Sequence, residues 1–405
     1  MRTIYLDNNA TTPILPEVAE AMAECYHHRH ANPASQHGPG RAARRRLEAA
    51  REAIGRILGA RLDSAHADQV IFTSGGTESN NLALLGLTRT NGPSRPESHL
   101  IISPIEHPSL VGAAEQLARE GGRIEQLMID ANGVVRTEQF VSRLTAETRL
   151  VSVMLGNNET GVLEPVAELA QICRRAGVPI HTDAVQVVGK LPVDFRRLGV
   201  DALSASAHKF HGPHGIGVLL VRYGVQLEPI LHGGFQQAGL RPGTESVALA
   251  VGMQVALEIW QAEQAERRDR LTELRDRLEA QLLAGFPSAV VHAAGADRLP
   301  HTTAIAFPGM DRQALVVALD LAGVACSTGS ACASGSSKPS PVLLAMGCEE
   351  ALVSGSIRLS LGCLSSPAEV DLATQRILRT VNDLQHVKQT RKMAPTPPSP
   401  LADRL

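Results

Sequence analysis

Asp201-Ala-Leu-Ser-Ala-Ser-Ala-His-Lys-Phe-His-Gly-Pro-His-Gly-Ile-Gly217 opens as a run of small and apolar residues, the pattern of a buried strand. It breaks at His208-Lys209 into a Gly/Pro-rich loop before Ile216-Gly-Val-Leu-Leu-Val221 resumes a strand pattern. Lysines are seldom buried, because an unpaired ammonium is costly to desolvate. Lys209, ending a buried strand among a histidine, serines and glycines, has two readings. It is a solvated lysine at a strand end, or an amine whose site lowers its pKa so that it can form a Schiff base. The second reading requires partners elsewhere in the chain.

Upstream, strand-like and helix-like patterns alternate. Apolar runs over 70–73, 99–103, 124–128, 150–155 and 178–180 precede those over 202–205 and 216–221, and helical spacing over 78–87, 110–119 and 165–175 separates several of them. Such alternation predicts an α/β fold, a mostly parallel sheet covered by helices with sites at the carboxyl ends of strands. Ahead of it, Tyr5-Leu-Asp-Asn-Asn-Ala-Thr-Thr-Pro13 is a polar turn-forming cluster and Pro16 opens a helix. Residues 41–60 form an amphipathic helix whose outer face carries Arg44, Arg45, Arg46 and Arg51, a solvated or interface face rather than a nucleic-acid site. Beyond it, helical patterns over 244–283 lead into a second, smaller domain with helices over 312–321 and 367–384 and strands near 303–307 and 356–361. Residues 388–405 lack apolar periodicity and are expected to be a disordered tail.

A chain of 405 residues has room for two domains of about 150 residues or more each. With 43% hydrophobic residues, 20% charged residues and a formal net charge of -2, it carries no electrostatic signature of nucleic-acid binding. The first residues lack a signal-peptide pattern and no run approaches the ~18 apolar residues of a membrane span, so a cytoplasmic location is expected. The six cysteines show no C-x-x-C pairing and read as free thiols.

Several strand ends carry chemistry. Ser74-Gly75-Gly76-Thr77-Glu78 follows a strand and opens a helix; its backbone N–H groups and the Thr77 hydroxyl suit a phosphate, unless it is a plain strand-to-helix turn. It is neither a Walker loop nor a G-x-G-x-x-G fingerprint. Asp183, in Val178-Pro-Ile-His-Thr-Asp-Ala-Val-Gln186, ends a buried strand, and a buried carboxylate calls for a positive partner. His107, in Ile105-Glu-His-Pro108, ends another and is structural or catalytic. Asn157-Asn158-Glu159-Thr160-Gly161 follows a further strand and supplies amide donors. Cys332 stands in Cys326-Ser-Thr-Gly-Ser-Ala-Cys-Ala-Ser-Gly-Ser-Ser-Lys-Pro-Ser340, a small-residue loop where a thiol could reach a reaction centre, pair with Cys326, or be incidental. Zinc is a poorer reading of His27, His28 and His30, because no second pair stands at ligand spacing, and no metal is expected.

These residues together resemble a known family. Tyr5 to Pro13, Phe72-Thr-Ser-Gly-Gly-Thr-Glu-Ser79, Glu106-His107, Asn157 to Gly161, His181-Thr-Asp-Ala184, Ser206-Ala-His-Lys209, Arg241-Pro-Gly-Thr244 and Gly329-Ser-Ala-Cys332 are similar, in order, to cysteine desulfurases of the NifS/IscS type. The resemblance implies the aspartate-aminotransferase fold of pyridoxal 5'-phosphate (PLP) enzymes, with a large, mostly parallel seven-stranded sheet domain over 16–260. A small α/β domain over 1–15 plus 261–387 would carry the reactive-cysteine loop. It further implies a homodimer.

In that family's pattern Lys209 holds PLP as a Schiff base, Asp183 pairs with the ring nitrogen, Gln186 bonds the ring oxygen, and His107 stacks on the ring and assists proton transfer. Thr77, Ser206 and His208, with the N–H groups of Gly76 and Thr77, hold the phosphate, completed by the partner subunit's Thr244. Arg358, with Asn158 close by, takes the substrate carboxylate. The implied activity is removal of sulfur from L-cysteine, giving alanine and a persulfide on Cys332 for an iron–sulfur scaffold or another acceptor protein. The rivals are a selenocysteine lyase on the same scaffold and a sulfur-relay protein with reduced catalysis. His211, His214 and Cys326 depart from common patterns; Cys326 could be oxidised against Cys332.

Overall fold

The computed structural model describes residues 2–28, 31–89, 98–329 and 338–393. A short strand β1 (Ile4–Tyr5) precedes helix α1 (Pro16–His27), opened by a proline in its first turn, where the missing N–H is no loss. In α2 (Gly38–Ile57) Ala43, Leu47, Ala50 and Ile54 form the buried stripe, while Arg44, Arg45 and Arg46 lie exposed.

The alternating region follows as β2 (Gln69–Thr73), α3 (Gly76–Thr88), β3 (His99–Ile102), α4 (Pro108–Arg119), β4 (Arg123–Gln126), β5 (Thr148–Ser152), α5 (Val166–Ala176), β6 (Ile180–Asp183), α6 (Phe195–Leu198), β7 (Ala202–Ser206) and β8 (Gly217–Val221). Its strands form one seven-stranded sheet in the order β2-β8-β7-β6-β5-β3-β4. All neighbours are parallel except β8, which runs antiparallel to both β2 and β7. The reversal follows from its connection: the loop after β7 is too short to return the chain to the sheet's other edge, as a helical crossover does. β7 and β8 are buried at every position, which is why they read as unbroken small and apolar runs without alternation.

Strands β4 and β5 begin one and two residues before their sequence readings over 124–128 and 150–155, and β6 departs furthest. The run over 178–180 belongs to a strand that starts at Ile180 and continues through Asp183. Val178 N instead bonds Cys173 O to close α5, and Pro179 has no N–H for a ladder.

The remaining chain is built on α7 (Val247–Gly285), capped by the Ser246 side chain accepting from Leu249 N. Its first half packs Val247, Ala250, Val251, Met253 and Leu257 into the core under the sheet. Its second half puts Leu271, Leu274, Leu278 and Leu282 into a separate core. That core is enclosed by β9 (Val290–Val291), β10 (Thr302–Ala306), α8 (Arg312–Leu321), β11 (Val324–Ala325), β12 (Ser356–Ser360) and α11 (Pro367–Met393), while α9 (Pro341–Ala345) and α10 (Glu350–Ser354) pack Val342, Leu343 and Val353 against Ile105, Met154 and Val162. A three-stranded sheet runs β12-β10-β9, and β1 pairs in parallel with β11, bringing the first residues among the last elements. Lys388 to Met393, expected to belong to the disordered tail, continue α11, since the chain meets no Gly or Pro before Pro395. Among the described residues no helix is long and apolar enough to cross a membrane.

Candidate active site

Because β7, β6, β5 and β3 lie side by side and parallel, their carboxyl ends form a single row. The antiparallel β8 begins at that same edge, with Gly217 in register with both Ser206 and Thr73. A cavity of about 210 Å3 opens there, lined by Ala10, Gly76, Thr77, Asn80, His107, Ser109, Met154, Asn158, Asp183, Val185, Gln186, Ser206, His208 and Lys209.

One wall is the turn from β2 into α3. Gly75 adopts φ 155°, ψ −178°, a conformation open essentially to glycine. A Cβ on Gly76 would stand 2.9 Å from Val185 Cγ2, and one on Gly217 would stand 2.6 Å from the Gly75 carbonyl carbon, so three glycines let the turn lie flat against the sheet edge. The first N–H groups of α3 then face the cavity with the positive end of its dipole. Glu78 secures the turn, accepting from Ser74 N at 2.6 Å and from Arg241 Nε at 2.8 Å. Ser206 Oγ is buried there with no hydrogen-bond partner among the described residues. His208 Nδ1 lies 3.2 Å from Thr11 Oγ1. Burial, reinforced by the Lys209 charge, lowers the His208 pKa to about 3, which leaves the imidazole neutral.

Asp183 forms the far end. Its Oδ2 accepts from Asn80 Nδ2 at 2.7 Å and its Oδ1 from Val185 N at 2.9 Å, so the carboxylate is oriented from both sides. Gln186 Nε2 donates to Asn9 O at 3.1 Å, while its Oε1 is buried without a partner among the described residues. His107 is the N-cap of α4, its Nδ1 accepting from Ser109 N at 3.1 Å. Next to it in the chain, buried Glu106 accepts from Ser103 Oγ and Met154 N, and burial pushes its pKa well up. Lys209 Nζ reaches in from the turn after β7 and donates to the carbonyls of Asn9 and Ala10, both at 2.7 Å.

The strand-end residues singled out in the sequence thus share one cavity; two others do not line it. Thr244 lies on the outer side of the Ser74 turn, near Gly215 and Leu249. Arg358, central in β12 and 2% exposed, pairs with Asp7 Oδ1 at 2.7 Å and donates to Asn158 O and Gly329 O. Cys332 lies outside the described residues. Cys326 is a free thiol packed beside the second core, and burial, with the Asp7 charge adding, raises its pKa to about 12, against the reactive partner the sequence suggested. Asn157 turns inward, donating to Ile105 O, and shapes its loop rather than facing a ligand.

Sequence reasoning missed Asn80 and Asn9. The signal for Asn80 was available: it stands one helical turn beyond Gly76, on the face that looks at the strand ends. Asn9 stands in the Tyr5–Pro13 cluster that the sequence marks as a loop near a site, but nothing there assigns it a role, since its place is set by pairing near Ser360, far along the chain.

Residues 4–372 match the family described as Aminotransferase class-V. The chain is 41% identical over 396 residues to a cysteine desulfurase of Cereibacter sphaeroides, covering 98% of each. It is 38% identical over 396 residues to the cysteine desulfurase NifS of Azotobacter vinelandii, covering 98% of this chain and 95% of that one. A solved NifS-like protein superposes with a TM-score of 0.86 at 34% identity, over 94% of this chain and 100% of its own.

Proposed function

The chain belongs to the aminotransferase class-V family, and from that premise we infer that it is a PLP-dependent L-cysteine desulfurase. The observation that carries this reading is the cavity itself. It sets a lysine amine, an oriented carboxylate and a helix N-terminus around buried polar atoms, Gln186 Oε1 and Ser206 Oγ, that have no partner within the described chain. Buried polar groups are ordinarily paired, so the site fits a polar, phosphate-bearing group.

Lys209 would hold PLP through Nζ, Asp183 would face the ring nitrogen, and His107 would lie against the ring. Gly76, Thr77, Ser206 and His208 would take the phosphate, with the partner subunit's Thr244 completing it. Gln186 would serve the ring oxygen by turning its amide so that the N–H group enters the cavity. When bound, PLP supplies an electron sink for carbanion chemistry at the substrate. Lys209 Nζ and His107 would move protons at the substrate carbons, and Arg358 and Asn158 would bind its carboxylate. The Cys332 thiolate would attack the substrate sulfur: the C–S bond breaks, the S–S bond of a persulfide forms, and the carbon takes a proton to leave as alanine.

We further propose a cytoplasmic homodimer that passes sulfur to an acceptor such as an iron–sulfur scaffold protein. Phe235, 95% exposed on the loop that leads to Thr244, supports a covered surface there. The division into domains over 16–260 and over 1–15 plus 261–387 is supported by the separate cores beneath the large sheet and around the second half of α7, with a smaller cluster that includes Met154, Val162, Val342 and Leu343 joining the two ranges.

The test is the visible absorption spectrum together with sulfide release from L-cysteine, for wild type and Cys332→Ala. Absence of a yellow cofactor band sinks the cofactor assignment. Wild-type sulfide release by coloured Cys332→Ala sinks the persulfide role.

A further inference from the structure

Asn80, Ser109 and His107 form a hydrogen-bonded chain that starts at Asp183. Asn80 is buried, and its Nδ2 lies 2.7 Å from Asp183 Oδ2 and 2.9 Å from Ser109 Oγ. A carboxylate only accepts, so the amide must turn its NH2 group to Asp183, and its two hydrogens go one to each partner. Ser109 Oγ thereby accepts from Asn80, and its own hydrogen is left for His107 Nδ1, 2.8 Å away.

The imidazole receives a second donor at the same atom. Ser109 N donates to His107 Nδ1 at 3.1 Å, as the N-cap of α4. A backbone N–H always carries its hydrogen, so Nδ1 cannot hold one of its own while this bond exists. Which ring nitrogen is protonated is set by the bond that the other makes, and neutral His107 therefore carries its proton on Nε2. The cap is complete with the backbone N–H, so the Ser109 hydroxyl serves the ring rather than the helix.

We propose that Ser109 is a positioning residue for His107: backed by Asn80 and Asp183, its hydroxyl holds the imidazole as the Nε2–H tautomer, so that Nε2 is the atom through which His107 meets the substrate, with a hydrogen in place. The same chain ties the setting of that ring to the carboxylate proposed for the cofactor nitrogen. The inference rests on the action of His107 on the substrate proposed above.

The experiment compares wild type, Ser109→Ala, Ser109→Thr and Asn80→Ala carrying histidine labelled for nitrogen NMR, with His107→Gln to identify the His107 signals. At about pH 8.5, above the ordinary titration range of histidine, the nitrogen shifts of PLP-loaded and PLP-free protein report which ring nitrogen is protonated. Wild type is expected to show Nε2–H and a bare Nδ1 in both. Ser109→Ala should let the Nδ1–H tautomer appear beside it and lower kcat for sulfide release ~3- to 10-fold, the loss expected of one hydrogen bond, with KM and the cofactor absorbance maximum unchanged. Ser109→Thr keeps the hydroxyl and restores both readings. Asn80→Ala frees the hydroxyl to turn and shifts the tautomer in the same direction as Ser109→Ala. A protonated Nδ1 in wild type overturns the proposal, whether or not Ser109→Ala folds. A folded Ser109→Ala in which either the tautomer or kcat is unaltered overturns it too. Sulfide release by His107→Gln at the wild-type rate instead removes the functional reading beneath it.

Discussion

Lys190 donates its ammonium to the backbone carbonyl oxygen of Lys209, so a second lysine is buried beneath the turn that presents the first. The approach depends on Gly189, at φ 78°, where a Cβ would stand 2.1 Å from Phe210 Cβ. Burial, with the Lys209 charge adding, lowers the Lys190 pKa from its ordinary 10.5 to about 7. Cys363 opposes the shift, and His211 and His301 also face this buried region.

A pH dependence of stability follows. Between pH 7 and 10.5 the unfolded chain holds a proton on Lys190 that the folded chain has lost, so stability rises with pH in that window. Below it both states are charged and the burial cost stands in full. Relative to Lys190→Met, wild type should gain up to about 1.4 kcal/mol per pH unit across the window. Urea unfolding of both proteins at neutral and alkaline pH measures the difference; parallel profiles would show that Lys190 stays charged when folded.

The three-glycine turn makes a steric prediction. In Gly217→Ala the new methyl would press on the Gly75 backbone and on Ala205 O at 2.8 Å, neither of which can swing away as a side chain can. The expected cost is about 1–3 kcal/mol of stability. Cofactor affinity should fall as well if the displaced backbone holds the phosphate as proposed. Thermal unfolding and dialysis against buffer lacking PLP test the two parts. An unaltered variant on both counts would mean that the turn is not tightly seated.

Much of this was legible because fully buried parallel strands leave unbroken apolar runs, and their ends are where polar residues reappear. Lys209, Asp183 and His107 were found at such breaks, and the Ser74 turn at the end of the antiparallel edge strand β2. What escaped came from long-range pairing or from side chains with no local pattern. Asn9, fixed by contacts to Thr302 and Ser360, offers its carbonyl to Gln186 and Lys209, and Asn80 looks like an ordinary helix residue until Asp183 is set against it. The end of α11 was missed because Lys and Arg were read as disorder, although both are good helix formers.

Asn80 should matter through Asp183. Asn80→Ala removes the 2.7 Å donor to the carboxylate and leaves it, among the described residues, held by Val185 N alone, while Asp183→Asn removes the charge itself. Hydrogen bonds to charged groups contribute about 1.5–3 kcal/mol, so PLP should bind roughly 10- to 100-fold more weakly to Asp183→Asn, with a smaller loss for Asn80→Ala. Cofactor titration followed by absorbance gives both constants. Wild-type affinity in Asp183→Asn would remove Asp183 from the cofactor site.

Cys326 offers a contrast with the cysteine six positions downstream. With its thiol pKa raised to about 12, almost no thiolate is present near neutrality, so iodoacetamide at pH 8 should leave it unmodified in the folded protein. Cys326→Ala should turn over L-cysteine within about twofold of wild type and lose about 1 kcal/mol or less, as for a small buried group. Mass spectrometry after alkylation reads the first expectation and sulfide release the second. Rapid labelling of Cys326 would revive the redox pairing with Cys332.

Arg358 makes the sharpest demand, because both of its terminal nitrogens are engaged before any substrate arrives. Nη2 pairs with Asp7, Nη1 spans Asn158 O and Gly329 O, and Nε is buried without a partner among the described residues. If it is to bind a substrate carboxylate, the new anion must share the guanidinium with Asp7 or displace it. Asp7→Asn therefore has two opposed effects. Breaking a buried pair lowers stability by about 3 kcal/mol, yet the released guanidinium should bind L-cysteine more tightly and lower KM. Arg358→Lys keeps the charge but cannot present two parallel N–H groups, and it should raise KM at least ~10-fold with the cofactor spectrum unchanged. The two variants should thus move KM in opposite directions. If both raise it alike, Asp7 holds Arg358 in its working position and does not compete with the substrate; if neither moves it, the carboxylate is bound elsewhere.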